Sequence, residues 1–243
     1  MLKELFQSVC EYAAKAQELQ SFECNGRTYL NRSAVEVAWP SPAALKFKTL
    51  SALLEYFDKN KATDQDAHMA FFRPVEPNLV KLQSPLMGDE NQRHTYAIAE
   101  FDTQIFRFGE WMDQEEFTIQ AMARIIATPD LTRLLKLVGA LKSGSSRTSE
   151  DDGVTQVVST RKGVSMTSTE KVDNPFLLAP MRTFSEITQP TSPFILRVRM
   201  FEDKNPMVAL FEADGGAWKV QAINSIAAFL RADKRSEGGQ VYA

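Results

Sequence analysis

The sequence of 243 residues is poor in the side chains that do most metal and redox chemistry. It has two cysteines, Cys10 and Cys24, and two histidines, His68 and His94. No metal-ligand spacing surrounds either cysteine, so two packed thiols in a reducing cytoplasm are expected rather than a disulfide. No apolar run approaches the ~18 residues that a membrane span requires. The opening "MLKELFQSVCEYAAKAQELQ" is too polar and too regularly charged for a signal peptide. Neither sign of charge dominates: 28 Lys and Arg stand against 31 Asp and Glu, a net charge of −3. A strong nucleic-acid binder more often carries a clearly basic domain.

What is present is an ordinary globular composition, 44% hydrophobic and 24% charged, long enough for one large domain or two small ones. Leu2, Leu5, Phe6 and Val9 follow the helical period, which predicts an N-terminal amphipathic helix. Asn25-Gly26 between short alternating runs predicts a hairpin. A similar apolar pattern is then written twice, as "LKFKTLSALLEYFDKNK" (45–61) and "WKVQAINSIAAFLRADK" (218–234). In each, alternating residues (Leu45 and Phe47; Trp218 and Val220) predict a strand. Leu50, Leu53, Leu54 and Phe57, and likewise Ile223, Ile226, Ala227 and Leu230, then predict a helix that follows it directly.

Between the two copies, strands are expected over 70–86 and 93–101, then a pair of helices. Asp113 and Thr128 stand where their side chains would cap those helices, Pro129 suits a first helical position, and Gly144 would end the second. "SGSSRTSEDDG" is polar and turn-rich and predicts a mobile loop near 143–153. The remainder reads mainly as strands, with Asp214-Gly215-Gly216 as a hairpin turn between two of them. "SEGGQVYA" predicts a frayed tail.

No catalytic constellation emerges. Neither histidine neighbours a cysteine, a serine elbow or a carboxylate pattern. Asp113, Glu115 and Glu116 would fan around a helix start and not converge on a cation. Glu150, Asp151 and Asp152 lack the alternating oxygens and closing glutamate of a calcium loop. The one chemical pattern of interest is basic and aromatic. Arg197 and Arg199 share a strand face, and with Arg182 and Phe194 nearby they are candidates for a single-strand nucleic-acid surface, where aromatics stack bases and arginines meet phosphates. An edge strand guarded by charge, or a subunit contact, is the plainer account of the same residues.

Four stretches, "FRFGEWMDQEEF" (106–117), "SEDDGVTQVV" (149–158), "NPFLLAPMRTFSEITQPTSPFILRVR" (174–199) and "ALFEADGGAWKVQAI" (209–223), taken together resemble the YfdQ-like proteins of tailed phages and prophages. That resemblance implies a phage or prophage origin and expression in the cytoplasm of the bacterial host. It supplies no catalytic residues.

The expectation is thus an α+β protein: an N-terminal helical arm over 1–21, a single domain over 22–235 and a flexible tail over 236–243. The domain would hold two strand–helix units, a central helix pair and a strand-rich C-terminal half. Its expected role is that of a non-enzymatic phage accessory protein acting as a homo-oligomer, a ring or closed shell, with the N-terminal helix available for exchange between subunits. It would need no cofactor, no metal and no membrane, and its partners would be copies of itself, with nucleic acid or a host protein as further candidates. The alternative is a nucleic-acid or nucleotide binder serving phage recombination or counter-defence. An enzyme whose carboxylates meet from distant positions is a third possibility.

Overall fold

This computed structural model describes residues 7–8, 21–30, 43–61, 69–86, 92–102, 104–141, 145–151, 155–162, 165–199 and 206–243. Of the predicted N-terminal helix, only Gln7 and Ser8 fall among them, and both are helical. Cys10 and His68 lie outside the described residues. The chain forms two compact units, Met1–Pro42 and Ala43–Ala243. The division falls within the proline-marked "AWPSPA".

The described part of the first unit is a hairpin of β1 (Ser21–Cys24) and β2 (Arg27–Leu30). Asn25 and Gly26 take φ of 51° and 77°. Positive φ at both turn residues matches the twist of two-residue hairpins. Cys24 is exposed, not packed as expected.

The second unit is α+β and is built around two hydrophobic cores. The first strand–helix unit forms as predicted, β3 (Leu45–Phe47) leading into α1 (Leu50–Asn60). Thr49 caps α1 by accepting from the Ala52 N–H at 3.2 Å. Strands β4 (Phe71–Glu76), β5 (Leu79–Gln83) and β6 (Thr95–Glu100) follow as an antiparallel meander. β7 (Met112–Asp113) precedes the helix pair α2 (Gln114–Arg124) and α3 (Pro129–Ala140). Both predicted caps are made: Asp113 accepts from Glu116 N–H at 2.8 Å and Thr128 from Leu131 N–H at 3.1 Å. α3 ends at Ala140, ahead of Gly144: Leu141 turns extended (φ −64°, ψ 123°) while its side chain stays in the same core as Leu131, Leu134 and Val138.

The stretch expected as a mobile loop is in part a strand. β8 (Ser145–Asp151) pairs with β9 (Thr155–Lys162), which pairs with β10 (Ser165–Asp173). β9 and β10 form where strands were expected; β8 was missed because its polar, turn-rich sequence carries no strand alternation, and its place is set by main-chain pairing with β9.

β11 (Phe176–Leu178), β12 (Ser192–Arg199) and β13 (Met207–Glu212) join β7 in a sheet of order β11-β12-β13-β7. One face of this sheet, with Phe176, Phe194, Leu196, Val208 and Leu210, meets Phe117, Leu131, Leu134 and Val138 of α2 and α3 in the first core.

The second copy of the repeat departs from the prediction. Trp218–Gln221 is not strand: α4 (Ala217–Ala232) begins at Ala217, and the strand that feeds it is β13. The glycine pair therefore stands between a strand and a helix, not within a hairpin. Gly215 and Gly216 have φ of 62° and 85°, and the Asp214 carboxylate accepts from the N–H groups of Gly216 and Trp218 at 3.0 and 3.2 Å. This capping by Asp214 starts the helix one turn earlier than the alternation suggests, and leaves Val220 in solvent.

The predicted tail is also ordered. A 3₁₀ turn at Lys234–Ser236 leads to β14 (Gln240–Val241), which lies parallel to β4 and closes a mixed sheet of order β14-β4-β5-β6-β3. Gly239 makes this possible, since a Cβ there would sit 2.9 Å from Phe57 and 3.1 Å from Phe72. Phe72, Val80, Leu82, Ala97 and Ala99 of this sheet pack on α1, on Ile226 and Leu230 of α4, and on Phe184 and Ile187.

Candidate functional site

Two features of the second unit exceed what packing alone requires. The first surrounds Arg182, which is only 5% exposed. Strand β13 delivers Glu212, and the Asp214 cap places Trp218 in the first turn of α4. β12 begins with Ser192 and Phe194. These converge on the guanidinium. One terminal nitrogen donates to Glu212 Oε1 at 2.5 Å and the other to Ser192 Oγ at 2.6 Å. The planar cation lies 3.9 Å from the Trp218 ring centroid and 5.5 Å from that of Phe194. Burial pulls the Arg182 pKa down from the ordinary guanidinium range, while Glu212 and Asp214 pull it back up. It stays a cation, as guanidinium does in proteins.

Gln189 holds the preceding loop. Its side-chain oxygen accepts from the N–H groups of Arg182 and Thr183 at 2.9 and 3.2 Å, and its amide donates to the carbonyls of Thr183 and Phe184 at 3.1 and 3.0 Å. A cleft of about 630 Å³ opens beside this cluster, lined by Pro77, Phe101, Ile105, Phe108, Arg182 and Trp218 among others. Its cations, Arg182 and Lys219, are matched by Glu76 and Glu212, so it selects neither sign of ligand. Arg182 here acts chemically as a lock between two chain segments and the first turn of a helix.

The second feature is on the surface. α2 buries Phe117, Gln120 and Ala121, yet Ile119 and Met122 on its outer side are 60% and 66% exposed, and Ile126 just beyond its end is 39% exposed. These three stand at i, i+3 and i+7. Main-chain bonds from Met181 to Arg124 and from Ile126 to Ala179 tie the neighbouring segment alongside. Alternation then sends Met181, 38% exposed, to the same outward side as Ile126. Nothing among the described residues covers this patch. Large contiguous apolar patches on soluble proteins mark interaction sites.

The four residues proposed from sequence as a nucleic-acid surface do not assemble into one. Arg182 and Phe194 come together, but in the interior, where the Phe194 ring stacks on Phe108 at 5.0 Å. Buried in this way, neither offers a face to a base. Arg197 and Arg199 share one face of β12, as expected, but it is the face opposite Phe194, and Arg199 lies 4.0 Å from the Trp111 ring. Asp113, Glu115 and Glu116 do not converge: Asp113 caps α2 and Glu116 pairs with Arg107. Among the described residues no group of three His, Cys, Asp or Glu could hold a metal ion. No helix among them is long and apolar enough to cross a membrane.

Comparison of the chain with protein-family models, with curated proteins and with solved structures gave no match.

Proposed function

We propose that this α+β protein is a non-enzymatic accessory protein of tailed phages or prophages that works as a homo-oligomer. One observation carries the oligomer: the uncovered apolar patch of Ile119, Met122, Ile126 and Met181. All four of its residues are apolar, and a second copy of the same patch would cover them about a two-fold axis, as in isologous interfaces. A ring or closed shell needs a further contact. The meander β8–β10 supports one, because β8 and β10 are its edge strands and have no outer strand partner among the described residues. Exposed edges of this length pair readily with another chain. The phage origin rests on the resemblance of residues 106–117, 149–158, 174–199 and 209–223 to YfdQ-like proteins.

The test is the native mass by size-exclusion chromatography with light scattering. A discrete species larger than 27.3 kDa is expected at micromolar concentration, and a smaller one for Ile119→Glu/Met122→Glu. A monodisperse monomer overturns the proposal. An unchanged mass in the double variant removes the α2 patch as the interface.

A further inference from the structure

The outer face of the five-stranded sheet carries a row of like charges. Phe72, Val80, Leu82, Ala97 and Ala99 point into the core, so the residues alternating with them, Phe71, Arg73, Lys81, Ile98 and Lys46, occupy the other face. Strand register then sets Arg73 opposite Lys81, Lys81 opposite Ile98, and Ile98 opposite Lys46. Three of the four positions in this row are cationic, spaced about 4.8 Å apart from strand to strand. Like charges directly opposite destabilise a sheet, yet neither Arg73 nor Lys81 has a carboxylate partner among the described residues. One acid stands beside the row: Glu100 approaches Lys46 at 4.0 Å.

At the Arg73 end, a groove of about 640 Å³ opens, lined by Met69, Phe71, Arg73, Pro85, Leu86, Arg93, Gln240 and Tyr242, none of them acidic. The Arg93 guanidinium stands 5.1 Å from the Phe71 ring centroid. Tyr242 meets the same ring edge-on at 5.2 Å and is itself 55% exposed. An exposed aromatic beside two arginines, continued by a cationic row across the sheet, is the arrangement that tracks a single-stranded backbone while stacking its bases.

We propose that this face binds single-stranded nucleic acid, with a base on Tyr242 and phosphates along Arg93, Arg73 and Lys81. A duplex keeps its bases stacked on one another and would leave Tyr242 without a partner. An acidic peptide would satisfy the cations but has no regular π-face for the ring. The site is separate from the α2 patch and uses none of the four residues that the sequence suggested.

The experiment is fluorescence anisotropy with a labelled single-stranded oligonucleotide of about ten nucleotides, within the site sizes of such surfaces, and the same sequence as a duplex. Binding to the single strand is expected at low salt, with log affinity falling against log salt by a slope of about −2 for three phosphates. Arg73→Ala/Lys81→Ala should weaken it at least about tenfold and flatten the slope by about 1.4. Tyr242→Ala should weaken it about tenfold with the slope unchanged. Arg93→Ala, outside any strand, gives a second variant with the sheet intact. No binding by the unaltered protein, or undiminished binding by the Arg73→Ala/Lys81→Ala variant, overturns the proposal. So does a duplex bound as tightly as the single strand. Light scattering on the same samples reports the oligomer separately, so either proposal can fail alone.

Discussion

The guanidinium of Arg182 stacks on the indole of Trp218 at 3.9 Å. This one contact ties the loop after β11 to the first turn of α4. Arg182→Ala removes the stack, the Ser192 hydrogen bond and the Glu212 pair together. The expected loss is about 3 kcal/mol, in the range for a broken buried ion pair. Glu212→Gln keeps an acceptor in place and should cost about 1 kcal/mol. Urea denaturation of both variants reads the two losses; a purely hydrophobic role for Arg182 would leave Glu212→Gln without cost.

Gly239 and Gly216 are both small by necessity, but for different reasons. Alanine at 239 would press its methyl against Phe57 and Phe72, an overpacking that typically costs about 1–3 kcal/mol. Alanine at 216 meets nothing within 4 Å and suffers only the φ of 85°, worth about 1–2 kcal/mol. Amide exchange should separate them: Gly239→Ala deprotects β14, whereas Gly216→Ala loosens the start of α4.

Acid should weaken the segment between α4 and β14. The Arg235 side chain hydrogen-bonds the Asp233 carboxylate at 3.0 and 2.7 Å and holds its pKa below the ordinary value. A depressed carboxylate contributes stability above its unfolded pKa, about 3.9, and loses it as pH falls through the lower folded value. Asp233→Asn should therefore flatten the acid limb of stability against pH below about 4, with little change in shape above it. An unaltered acid limb would show that the pair contributes nothing.

The helix caps offer a local test. Asp113→Ala and Thr128→Ala each remove one side-chain acceptor from a helix start and should each cost about 1 kcal/mol. Thermal melts of the single and double variants read both values and their additivity.

The elements with strong local signals were legible in the sequence: the Asn25-Gly26 turn, the Leu50–Asn60 helix, and the Asp113 and Thr128 caps all stand where the residue pattern puts them. Trp218–Gln221 misled because alternation over four residues cannot tell a strand from the exposed first turn of a helix. Asp214 decided the matter through two backbone hydrogen bonds. Gly238-Gly239 looked like fraying, yet Gly239 is a close contact with two phenylalanines, which requires knowing what lies opposite. The candidate surfaces were hidden for the same reason. Lys46 is distant in the chain from Arg73 and Lys81, and the three form a row only through strand order and register. Arg182 and Phe194 were placed near each other correctly, but their burial depends on Trp218 and Phe108 arriving from elsewhere.

The closing strand β14 has a consequence for synthesis. Its partner β4 leaves the ribosome early, and the residues that cover that edge are made only after the helix pair, the meander and α4 have been completed. Until then β4 presents an open row of backbone donors and acceptors, with Phe71 and Phe72 beside it. Nascent chains on crowded ribosomes would be vulnerable to strand exchange at this edge, and a holding chaperone would find its best target there.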